Sequence, residues 1–387
     1  MPLSMLLIVG LALPAASGAV TVSASSESVV RPNNDYGEQI WTIHIEAAPG
    51  EANRIESRNT VVKDFGASIQ MGVGCMALNE RAVACPPPGP TEVRVVVDTG
   101  DGDDSALIYS DWCEVNLGSG DDRVNAACAL ASIHGGEGRD DLNSSGAAPV
   151  GNTTLTGGPG NDTLSGNGQT TKLVGGPGDD RMSWGVVSYA DHRSAVKAEL
   201  TPRGGTGGAS GERDRFGYGV TDIEGGAGDD TLIGNASDNV LIGNGGSDRL
   251  IGGPGNDSLY GDISHTIPPT TPKLQADAVD GGPGSDTLTT GAGGRALGGP
   301  GADTIRINPG ATAIGGAGAD SVTLEIPYAP SRSQTRIDLR DGARRDDFRC
   351  IRGDRRDRAR LGSVLIQLDQ GEKRPRRTCG LDAAVER

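Results

Sequence analysis

The chain has 387 residues, a formal net charge of −16, 62 glycines and only 3% aromatic residues. With so few large side chains, apolar burial alone cannot offset the entropy of ordering the chain, which excludes an ordinary core-stabilised globular domain. Beyond the N-terminus no stretch approaches the ~20 consecutive apolar residues that a membrane span needs, so no transmembrane segment is expected.

Residues 1–19 carry the apolar run LLIVGLALPAA and end in small residues at 17–19, the pattern of a secretory signal peptide, although no Lys or Arg precedes the run. Residues 20–98 alternate apolar and polar in places, as in Ile40-Trp41-Thr42-Ile43-His44-Ile45, and close on EVRVVVD. They predict a small N-terminal β region. Its role would be to cap one end of a stack of strands, because an open end exposes unpaired backbone and apolar side chains.

From 99 onward the chain repeats every nine residues. GGAGDDTLI, GNASDNVLI, GNGGSDRLI and GGPGNDSLY run without a break over 225–260. Further copies begin at 135, 157, 175, 281, 298 and 315, with weaker ones at 99 and 117. Nine residues are too few to fold alone, so such units must stack on one another. Glycine permits the positive φ of a tight bend, and the last three residues form a short strand whose central apolar side chain points inward. That inward set is Val124, Leu142, Leu164, Met182, Leu232, Leu241, Leu250, Leu259, Leu288, Ile305 and Val322. Starts at 99, 117 and 135 are eighteen apart, as are 157 and 175, which makes two units one coil; the last three starts are seventeen apart.

These units resemble the GGxGxDxUx nonapeptide of the RTX, or hemolysin-type calcium-binding repeat, proteins. The resemblance covers 99 to about 323 and implies an all-β fold, a parallel β-roll or β-helix solenoid with two nonapeptides per coil and Ca²⁺ held between turns. Ca²⁺ takes six to eight oxygens, which carbonyls at the glycine bends and carboxylates beside them would supply. The implied metal ligands are Asp104, Asp122, Asp140, Asp162, Asp180, Asp230, Asp248, Asp257, Asp286, Asp303 and Asp320. Asp104 and Asp122 sit in the weaker copies. Asn239 and Thr171 stand where Asp belongs, and Ala106 occupies an apolar position.

Two segments interrupt the roll assigned to 99–326. Residues 184–224 contain VSYADHRSAVKAEL, which resembles an element punctuating secreted RTX arrays of actinobacteria and predicts an irregular coil, with Tyr189 and His192 as surface loop positions. Residues 264–275 are Pro-rich and read as a loop added to one coil. The Arg/Asp-rich region 327–387 reads as a C-terminal β cap with strands near 335–339 and 363–368. Residues 331–387 carry a net +6, which leaves −22 on the remainder. Attachment of this segment to an anionic envelope polymer or nucleic acid is its functional rival; interspersed Asp residues weaken that, and no nucleic-acid partner is expected.

Six cysteines lie beyond the signal peptide, as suits an oxidising compartment. The simplest of fifteen pairings is Cys75–Cys85, Cys113–Cys128 and Cys350–Cys379. The four histidines, His44, His134, His192 and His265, are scattered, and neither HExxH nor GxSxG occurs. The expectation is therefore a secreted or cell-surface, non-enzymatic calcium-binding repeat protein with a structural, adhesive or matrix role, its partners calcium and a surface or matrix polymer. The alternative is an RTX-type secreted hydrolase whose catalytic residues are not recognisable. Carboxylates crowded along the roll repel one another until a divalent ion neutralises them, so folding should require calcium, at an affinity on the order of 10⁻⁴–10⁻³ M.

Overall fold

The computed structural model describes residues 19–29, 38–48, 50, 52–89, 91–146, 153–168, 170–262, 276–326, 335–338, 347–352, 364–367 and 384–386. The apolar run before residue 19, the Pro-rich loop at 264–275 and the Cys350–Cys379 pairing lie outside the described residues. Every regular element among the described residues is a strand. The chain divides into two compact units, one ending at Thr153 and the other starting at Thr154.

In the first unit, Ala19–Val29 pairs antiparallel with Glu38–Glu46, which runs parallel to Glu92–Asp98. That strand runs parallel to Ser105–Ser119, and Ser105–Ser119 to Arg123–Glu137. Alternation puts Val22, Ile43, Ile45, Val95, Val97, Val115 and Ile133 inside. The hairpin Met76–Asn79 and Ala82–Ala84 is closed by the Cys75–Cys85 disulfide, and Cys113–Cys128 links two adjacent coils. The repeat spacing predicts three-residue strands here, yet both coil strands are 15 residues long. The reason is local: IYSDWCEVN and AACALASIH follow the first two units and carry no glycine to turn the chain, so the strand continues.

The second unit is a two-faced stack of parallel strands. On one face the inward residues run Leu173, Val187, Ile223, Leu241, Leu259, Leu288, Ile305 and Val322 in direct register. On the other, Leu164, Met182 and Phe216 are in register, and Ala198, Leu232, Leu250, Val279, Ala296, Ala313 and Ile337 form a second run. Lys197–Thr201, Gly204–Gly207 and Asp214–Phe216 join these runs through antiparallel pairs. The irregular coil is thus a small meander inside a parallel solenoid. Strands Thr335–Asp338, Val364–Gln367 and Ala384–Glu386 continue the stack towards the C-terminus.

All eleven side chains expected to point inward are no more than 1% exposed. Each coil contributes about one such residue per face, so the core is only two facing side chains thick. The glycine bends hold the coils at close range. A Cβ on Gly284 would lie 1.5 Å from the Gly255 carbonyl oxygen, and its φ of +153° is one that other residues rarely adopt. Tyr189 differs from expectation. It is only 2% exposed, because the meander brings Gly207 against its hydroxyl and Asp214 into hydrogen bond with it instead of leaving it on a surface loop.

Candidate metal centre

Each nonapeptide places its sixth residue at the junction between the glycine bend and the strand, where the side chain turns under the bend. Stacking then brings these carboxylates into columns. In the first unit Asn53 N–H donates to Asp104 Oδ1 (2.6 Å), Asp104 N–H to Asp122 Oδ1 (2.7 Å) and Asp122 N–H to Asp140 Oδ1 (2.9 Å). The weaker copies thus share the geometry of the strong ones.

In the second unit one face carries Asp162, Asp180 and Asp214 in a column, each N–H donating to Oδ1 of the next at 2.8 and 2.9 Å. Beyond the meander the same face carries Asp230, Asp248 and Asp277. The opposite face begins at Asn239 and continues through Asp257, Asp286, Asp303 and Asp320 at 2.8–3.0 Å. The carboxylates therefore change face partway along the roll. Before Asn239 the second face has Thr171, Gly185 and Thr221 in this place, and after Asp277 the first has Gly294 and Ala311.

All of these aspartates are buried, none more than 2% exposed. In each column, every aspartate that follows another residue of the column takes a backbone N–H on one oxygen. The second, Oδ2 of Asp122, Asp180, Asp248, Asp257, Asp286 and Asp303, is buried with no hydrogen-bond partner. In the units that begin with glycine it lies against that glycine: a Cβ on Gly281 would be 2.4 Å from Asp286 Oδ2 and 2.7 Å from the Gly298 carbonyl oxygen. Only glycine leaves room there for the carboxylate.

Burial disfavours the charged form, with neighbouring carboxylates adding to it. Asp122, Asp248 and Asp303 are pushed up to about 7, Asp180 to about 8 and Asp257 to about 6. Asp104, Asp140, Asp230 and Asp286 move in the same direction, for the same first reason. Charged carboxylates in such a place need a cation beside them.

No group of three or more His, Cys, Asp or Glu side chains converges among the described residues. Carbonyls of the stacked bends supply further oxygens beside the carboxylates. These are close at hand: the Gly282 and Gly284 carbonyls face Gly299 and Gly301 of the next coil, where a Cβ would meet them at 2.2 and 1.5 Å. A hard, oxygen-seeking divalent cation suits such a donor set.

Sequence reasoning missed three features. Asp214 and Asp277 belong to the columns although their glycine bends are degenerate; the surviving signal is Asp two places before a buried Phe216 or Val279. The fifth residue of each unit forms an outer column of opposite sense, in which Asp179 N–H donates to Asn161 Oδ1, Asn256 N–H to Asp238 Oδ1 and Ser285 N–H to Asn256 Oδ1. Its signal is the recurrence of Asp, Asn or Ser at that place. Asn239 is engaged at both ends, its Oδ1 with Asn235 N–H and its Nδ2 with the Thr221 carbonyl.

The irregular coil carries one further charged cluster. His192 sits between Asp191 (Nδ1, 2.9 Å) and Glu212 (Nε2, 3.1 Å), with its side chain 9% exposed. The hydrogen bond to Asp191, then that to Glu212, raises its pKa to about 9.

A family model for the RTX calcium-binding nonapeptide repeat matches four stretches of the chain, residues 150–182, 217–250, 224–259 and 275–294. In these stretches the solenoid is thus built of RTX calcium-binding nonapeptide repeats, and Ca²⁺ is the cofactor they bind. No curated protein matches the chain.

Proposed function

We propose that this is a secreted, non-enzymatic protein whose repeat array folds when calcium binds and then serves as a rigid structural or adhesive element outside the cell, at a surface or in a matrix. The observation that carries this reading is the buried Oδ2 atoms of Asp122, Asp180, Asp248, Asp257, Asp286 and Asp303, which have no hydrogen-bond partner. Ionised and without a cation, these groups would oppose a fold with so thin a core. With calcium in millimolar supply, as outside cells, the same groups would tie each coil to the next.

Two disulfides, Cys75–Cys85 and Cys113–Cys128, support an oxidising location. An adhesive role draws support from Phe65, Met71, Val73, Met76 and Leu78, all at least half exposed around the Cys75–Cys85 hairpin. The test is a calcium titration of the mature chain followed by far-UV circular dichroism. β signal should appear with added calcium and collapse with EGTA; a spectrum unchanged by EGTA would overturn the reading.

A further inference from the structure

Along the first face of the second unit, the partners of the column carboxylates change at the irregular coil. Asp180 below it and Asp248 above it each have a buried Oδ2 with no partner. Between them, Asp214 Oδ2 accepts the Tyr189 hydroxyl at 2.8 Å, and Asp230 Oδ2 accepts Gly226 N–H at 2.7 Å. Both aspartates still receive the ordinary backbone bond on Oδ1, from Asp180 N–H and Val196 N–H. They keep the column geometry and differ only in what meets the second oxygen.

The sequence behind this is the turn 189–192. His192 N–H donates to the Tyr189 carbonyl, and Ala227 N–H donates to the His192 carbonyl, at 2.9 Å each. The turn lies against the bend at Gly226, where a Cβ would be 2.4 Å from the His192 carbonyl oxygen. It thus occupies the flank of the 225–230 bend that a preceding glycine bend holds elsewhere in the roll. Tyr189 is 2% exposed and stands edge-on to His192, 5.2 Å between ring centroids, which fixes its hydroxyl on Asp214.

We propose that the Tyr189 turn replaces calcium at two successive rungs, so that Asp214 and Asp230 bind no ion and the calcium row on this face is split into two rows loaded separately. The proposal rests on calcium binding by the other rungs. A neutral hydroxyl and a backbone N–H satisfy a buried carboxylate oxygen by hydrogen bonding without a metal.

Counting bound calcium by native mass spectrometry on the full chain at saturating calcium tests it, with Asp180→Asn and Asp214→Asn compared with wild type. Asp180→Asn should lose at least one ion and Asp214→Asn none. A loss in Asp214→Asn equal to that in Asp180→Asn would overturn the proposal. An unchanged count in both variants would instead remove the calcium reading on which it rests, and the proposal with it. Tyr189→Phe gives an independent check should Asp214→Asn not fold. Its count should stay the same or rise by one, and a fall would mean that the hydroxyl is itself a ligand.

Discussion

The backbone N–H of Asp286 donates to Oδ1 of Asp303, 2.9 Å away and seventeen residues further along the chain. One coil thereby positions the carboxylate of the next, leaving Asp303 Oδ2 buried and unpartnered. The bond needs only an oxygen, whereas the second position needs compensating charge. Asp303→Asn keeps the first and removes the second. It should bind one fewer calcium and raise the calcium midpoint of folding about tenfold or more, while the EGTA-treated chain becomes no less stable than wild type. Calorimetric titration and circular dichroism in EGTA check both halves.

Acidity should act in opposite directions on the metal-free and calcium-bound forms. The column carboxyls rise from an ordinary value of about 4 to about 6 at Asp257, 7 at Asp122, Asp248 and Asp303, and 8 at Asp180. A carboxyl with a raised folded pKa favours the fold when protonated. That contribution is complete below the unfolded value and is lost as pH climbs through 6 to 8. In EGTA the chain should therefore retain more β signal at pH 5 than at pH 8. Calcium must displace those protons, so its midpoint should rise as pH falls through the same window.

Gly284→Ala should destabilise the calcium-bound roll by more than about 1 kcal/mol, since the new Cβ meets the Gly255 carbonyl oxygen at a positive φ. Thermal melts at saturating calcium give the number. Gly293→Ala has a positive φ but nothing within 4 Å of the added atom, so it isolates the backbone strain from the clash.

Leu250→Ala should cost about 2–5 kcal/mol, the range for a fully buried leucine. Its strand neighbour Ile251 is partly exposed on the other side of the pleat, and Ile251→Ala should cost clearly less. Denaturant unfolding at fixed calcium compares them. Equal losses would mean that the roll has no defined inside.

The period of nine and its glycines already determined that short strands stack at eighteen- or seventeen-residue steps, which side chain of each strand faces inward, and that the sixth residue lies under the bend. These are short-range consequences of chain geometry, and Leu232 through Leu259 obey them without help from distant residues. The tertiary structure alone decided the change of the carboxylate column from one face to the other, the entry of Asp214 and Asp277 into it, and the burial of Tyr189. Each of these depends on which segment lies beside which after an insertion of unpredictable path. Tyr189 and Asp214 are 25 residues apart, a distance in chain that no period spans. Only the folded meander brings the hydroxyl to the oxygen that at Asp180 and Asp248 has no hydrogen-bond partner.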